Sequence, residues 1–156
     1  MNDLFASLFE WFGLNPFYSK DLGEHLRGWD ITCTDYIGSP LYVYVGLTMV
    51  ILTVVFYILQ YHLINSSRFN KRMHWWIVVA LISGLNFFVA FILAFNDLQF
   101  GNYCSQLRFT IFDCLFFGLS VAIWSWILFM LLTSLPYPRS WAGHNMTETT
   151  FWKPRL

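Results

Sequence analysis

Three long stretches of this chain are almost free of charge, and they restrict its fold more than any other feature. Residues 41–64 and 75–95 contain no Asp, Glu, Lys or Arg, and residues 109–135 contain one, Asp113. A helix needs about 20 apolar residues to cross a bilayer core of about 30 Å, and each run is long enough. A soluble domain carries about 25% charged residues, whereas here the share is 12%, with 57% hydrophobic residues. The fold class that follows is an all-α integral membrane protein with three transmembrane helices, over about 41–64, 75–95 and 109–135.

The flanks divide the rest. Residues 1–40 form an extracytoplasmic N-terminal segment, and residues 136–156, opened by Pro136 and Pro138, form an extended cytoplasmic tail. The apolar stretch 4–14 is too short to span. Its polar residues Asp3, Ser7 and Glu10 make a narrow stripe on a helical wheel otherwise filled by Leu4, Phe5, Leu8, Phe9, Trp11 and Phe12. That pattern predicts an amphipathic helix lying at the membrane interface, capped by Asn2 or Asp3 and stopped by Gly13 and Asn15-Pro16. No basic residue precedes this stretch, so it is expected to stay in the mature protein and not to act as a cleaved signal. A second short helix is predicted over 20–27, with Ser19 as cap and Gly28 as stop. Residues 30–40 read as an irregular linker, and Pro40 suits the first turn of the first span.

Charge sets the expected sidedness. The loop after the first span holds Arg68, Lys71 and Arg72, and the tail holds Arg139, Lys153 and Arg155. The N-terminal segment has only Lys20 and Arg27 against Asp3, Glu10, Asp21, Glu24, Asp30 and Asp35, and the second loop has Arg108 and Asp97. Basic residues near span ends favour the cytoplasm. The N-terminus is therefore placed outside and the C-terminus inside, in a plasma (inner) membrane or an organelle membrane of the same sidedness. The sequons at Asn65 and Asn145 then face the cytoplasm and stay unmodified. Cys33 and Cys104 fall on the outer side, each near a span, and a disulfide between them is expected if that side is oxidising. Cys114 lies within the third span and reads as a small packing residue.

Few residues suggest chemistry. Asp113 is the single charge inside a span; it can line an ion path, pair with Arg108, or sit favourably at a helix N-terminus. Asn86 is near the middle of the second span and needs a partner there, on a neighbouring helix or in a pore. Ser120 and Ser125 extend this thin polar set. Ala80, Ser83 and Gly84, with Gly118 and Ala122, follow the small-residue spacing that lets helices approach closely, between the second and third spans or between subunits. Asp21, Glu24 and His25 share one face of the second short helix; without a further ligand they read as a solvated face, and no metal site or cofactor is expected. The tail residues Phe151, Trp152, Lys153 and Arg155 look like a docking peptide.

No phosphate loop, zinc motif or nucleophile elbow occurs, so no catalytic residue is assigned and the chain is not expected to be an enzyme. The zero net charge gives no reason to expect nucleic acid as a partner. The expected function is a non-enzymatic membrane subunit, a scaffold or anchor within an oligomer or multi-protein assembly. Its partners are the bilayer, further copies of itself, or other membrane or cytoplasmic subunits. The alternative is a homo-oligomeric ion-conducting pore, a channel or membrane-depolarising effector, lined by Asn86 or by Asp113, Ser120 and Ser125.

Overall fold

A computed structural model describes residues 1–14, 17–63 and 72–134. Within them the chain forms five helices: α1 (Asn2–Phe9), α2 (Lys20–Arg27), α3 (Leu41–Ile58), α4 (Arg72–Phe100) and α5 (Ile111–Ser134). A π turn, Leu59–Leu63, extends α3. No strand occurs among the described residues. Three helical stretches, Leu41–Leu63, Met73–Phe100 and Ile111–Ser134, are long and apolar enough to cross a membrane.

The three long helices form a bundle in which α4 and α5 make the most extensive pairing and α3 lies against both. Its core has two apolar halves. The half nearer α1 and α2 gathers Val45 and Met49 of α3, Ala90 and Ala94 of α4, and Phe117 and Val121 of α5. The other half gathers Tyr57, Tyr61, Trp75, Val79, Ile82 and Phe129. The opposite faces stay bare: Leu81, Leu85, Phe88 and Ile92 form a ridge along α4 and are each at least 44% exposed. A ridge of that kind is costly in water and costs nothing in lipid.

At 29 residues α4 is about 43 Å long at a rise of about 1.5 Å per residue. This exceeds a bilayer core of about 30 Å. The sequence ended this span at residue 95; the helix continues to Phe100 and carries Asp97 to the end of the bundle where α2 lies.

The first helix differs from the expectation. Its apolar side does not face outward as a single surface: Phe5, Ala6 and Phe9 are buried across the groove between α3 and α5. Glu10, placed in the polar stripe, is 9% exposed and turned toward α2. Neither Asn2 nor Asp3 caps α1; the Asn2 amide instead donates to the Arg27 carbonyl oxygen at 2.9 Å. The helix also ends before Gly13. The Phe12 N–H donates to the Ser7 carbonyl and the Trp11 N–H to that of Leu8, the paired bonds of a Schellman stop. Its left-handed residue is Trp11, at φ 52°. A side chain there costs roughly 1–2 kcal/mol. Trp11 is held all the same, because its ring packs on Trp124 and Phe17 and its indole N–H donates to Ser120 Oγ at 3.0 Å.

Short helix α2 begins at Ser19, whose hydroxyl accepts the Leu22 N–H, and ends at Gly28, with φ 99°. A β-carbon on Gly28 would lie 2.8 Å from the Gly38 carbonyl oxygen, so the chain crosses itself where only glycine fits. The Gly38 N–H donates to the Gly28 carbonyl at that crossing and closes the intervening loop. A disulfide joins Cys33 of this loop to Cys104, between α4 and α5, with Cα atoms 5.3 Å apart. Cys114 is buried and unbridged. A non-reducing mass measurement after thiol labelling of the unfolded chain is therefore expected to show one labelled cysteine, rising to three after reduction; three before reduction would refute the bridge.

Candidate functional site

Two groups of polar residues stand out, a node at mid-height and a cap over the end of the bundle that carries α1 and α2. The node is Asn86, Ser125 and Thr53, one residue from each long helix, all at most 1% exposed. The Asn86 amide donates to Ser125 Oγ at 2.8 Å, Ser125 lies 3.4 Å from the Thr53 hydroxyl, and Thr53 donates to the Met49 carbonyl at 2.7 Å. Buried polar groups need such partners. Interhelical bonds of this type contribute about 0.6–2 kcal/mol, so Asn86→Leu is expected to cost about that much in detergent unfolding. A larger loss, above about 4 kcal/mol, would mean that Asn86 does more than join helices.

Ser120 stands apart from the node. Its hydroxyl donates to the Phe9 carbonyl at 2.9 Å and accepts from Trp11, so it fastens the end of α1. Asp113 is the N3 residue of α5 and reaches back to its cap. Its Oδ2 accepts the Thr110 N–H at 2.7 Å and the Thr110 hydroxyl at 2.9 Å. Its Oδ1 accepts the Ser19 N–H at 2.8 Å. One carboxylate thus closes half a capping box and ties the start of α2 to α5. It makes no ion pair with Arg108 among the described residues; the Arg108 N–H donates to Asp21 at 3.0 Å.

The cap replaces the solvated face expected for α2. Asp21 holds the Arg108 backbone, Glu24 accepts from the Tyr36 hydroxyl, and His25 is buried with Nε2 3.1 Å from Asp97 Oδ2. The His25 ring stacks on Phe109 and meets Tyr103 edge-on. Each of the three residues fastens a different segment. Arg27 completes the set with a two-pronged pair to Glu10, Nη2–Oε2 2.6 Å and Nε–Oε1 3.2 Å. The Tyr42 hydroxyl donates to Glu10 at 3.0 Å and accepts from the Tyr18 hydroxyl at 2.9 Å. Burial pushes the Tyr18 hydroxyl well above the ordinary phenol range. Glu10 beside Arg27 holds the guanidinium more firmly protonated than usual.

The small residues divide. Gly118 takes the Phe87 backbone and ring at close range, so α4 and α5 do meet there. Ala122 is half-buried, while Ala80 is exposed, Ser83 half-buried, and Gly84 has open space where a β-carbon would stand. The close α4 partners are instead Ala90 and Ala94, both fully buried. Phe151, Trp152, Lys153 and Arg155 lie outside the described residues, as do Arg68 and Lys71.

Sequence reasoning missed the Glu10–Arg27 and His25–Asp97 pairs, whose members are 17 and 72 residues apart. Thr53 had a usable signal, shared with Thr48, as one of two threonines within the apolar run of α3. Among the described residues, no group of three or more His, Cys, Asp or Glu is placed to hold a metal ion. Comparison with protein-family models, curated proteins and solved structures found no match.

Proposed function

We propose that this chain is a non-enzymatic multi-pass membrane subunit that acts as a scaffold or anchor within an oligomer or larger membrane assembly. The observation that carries this reading is the use of its polar groups. Asn86, Ser125, Ser120 and Asp113 are all bonded to groups of the same chain. These bonds favour a packing role over the lining of an ion path, because a conducting pore needs polar groups turned toward water. The bare apolar ridges offer area to lipid and to neighbouring helices, and the tail offers a further docking segment.

The orientation proposed is N-terminus outside and C-terminus cytoplasmic, in the plasma (inner) membrane. The Cys33–Cys104 bridge supports it, since disulfides persist in oxidising compartments. It lies at the acid-rich end of the molecule.

The test is the mass and composition of the particle after gentle extraction. Co-purified chains at fixed ratio, or an integer multiple of 18.4 kDa, is the expected result. A lone monomer in several mild detergents would refute the assembly role. Ion flux through liposomes that is altered by Asn86→Leu or Asp113→Asn would replace it with the pore.

A further inference from the structure

The loop after α2 and the outer end of α4 enclose a cavity of about 350 Å³. That lies within the range of small-ligand sites, about 300–1,000 Å³. Its lining holds two acids, Asp30 and Asp97, with the polar side chains of His25, Ser39 and Asn102, and no Lys or Arg among the described residues. Hydrogen bonds from the Thr32 hydroxyl and the Ile31 N–H hold the Asp30 carboxyl below its usual range, so it is an anion. Trp29 supplies an aromatic wall and is itself held in place. Its ring meets Tyr36 edge-on at 4.6 Å, and the Tyr36 hydroxyl is bonded to Glu24.

Two further features set this cavity apart from a surface dent. His25 is 6% exposed and lines it, yet its Nδ1 has no hydrogen-bond partner among the described residues. Buried polar atoms left in this way call for an explanation. The disulfide also ties its two walls, since Cys33 lies in the loop that carries Trp29, Asp30 and Ile31, and Cys104 follows Asn102.

We propose that this cavity binds an organic ammonium group, from the ethanolamine or choline headgroup of an outer-leaflet lipid or from a free small amine. Carboxylates and an indole lining one cavity suit such a cation, which gains from charge and from the ring face together. An anion would meet two carboxylates. A bare metal ion would find neither a third ligand among the described residues nor a close-fitting space. This assignment does not depend on the scaffold reading.

The test uses the full chain in nanodiscs of phosphatidylglycerol alone, which bring no ammonium headgroup. Equilibrium dialysis with labelled tetramethylammonium and ethanolamine is expected to show saturable binding. tert-Butanol, neutral and of similar shape, is expected not to compete. Asp30→Asn, at an exposed carboxylate, and Asp97→Asn are each expected to weaken binding about tenfold, the factor that about 1.4 kcal/mol represents. Intact far-UV spectra and thermal midpoints would exclude unfolding of either variant. Native mass spectrometry after reconstitution with phosphatidylethanolamine separates the sources. Retention of that lipid by the wild type, lost in Asp97→Asn, assigns the headgroup; binding of the free amines alone assigns a soluble ligand. No saturable binding of either amine and no retained lipid would overturn the proposal, as would equal competition by tert-butanol.

Discussion

Replacing Gly46 by Leu is expected to strip α1 from the bundle. A β-carbon at this position would stand 2.5 Å from Cγ of the Phe5 ring, well inside van der Waals contact. The ring has little room to yield, because Phe5 is 8% exposed and stacks on Phe9, which is wedged against Tyr42 and Phe117. Overpacking of this kind typically costs about 1–3 kcal/mol. An isolated helix shorter than about 12 residues has almost no stability of its own. The eight residues of α1 therefore hold their place only through these contacts, and the strain is enough to release them. Limited proteolysis should cut Gly46→Leu within the first 20 residues at least tenfold faster than the wild type. The double variant Gly46→Leu with Phe5→Ala should recover most of the protection, since the added methyls fill the vacated ring space. An N-terminal segment that remains as protected in Gly46→Leu as in the wild type would show that α1 does not pack on α3 in this way.

Arg27→Met is expected to be the costliest single change in the cap. The Glu10 side chain is 12% exposed and Arg27 is 35% exposed. Removing the guanidinium leaves a nearly buried carboxylate with, among the described residues, the Tyr42 hydroxyl as its one remaining side-chain donor. Breaking a fully buried pair costs about 3–5 kcal/mol; the partial exposure of Arg27 brings the expectation down to about 2–3 kcal/mol, because solvent screens the charge that is lost. The asymmetry is the informative part. Arg27→Met together with Glu10→Leu should lose less than Arg27→Met alone, since neither charge is then stranded. Thermal unfolding in mild detergent across the four-protein cycle measures the coupling. Additive losses would mean that the two side chains do not depend on each other.

Both predictions rest on contacts between segments far apart in the chain, and this is where the sequence stops being readable. A span is visible as a run of apolar residues, because a helix able to cross a bilayer core needs about 20 of them in succession. A short helix such as α2 is visible from its ends, since Ser19 and Gly28 satisfy backbone groups only a few residues away. The need of Asn86 for a partner was also legible, because an amide in hydrocarbon cannot be left alone; that the partner is Ser125 was not. Glu10 on a helical wheel is a polar residue expected to find water. It finds Arg27 and Tyr42 instead, because α2 folds back over α1 and closes off the solvent. Ala80 and Gly84 carry the small-residue spacing, yet Ala90 and Ala94 occupy the buried face of α4. Spacing marks which residues share a helix face, while the rotation of α4 about its axis decides which face is turned inward.

The amino-acid sequence by itself thus determined three apolar helices, the division of charge between the two ends, and the caps of α2. Each depends on interactions of a residue with its solvent or with its neighbours in the chain. The tertiary structure alone decided that α1 lies across α3 and α5, that the charges of α2 each fasten another segment, and that the three mid-span polar residues meet. Those outcomes depend on which surfaces come within a few ångströms of each other, and no local pattern encodes that distance.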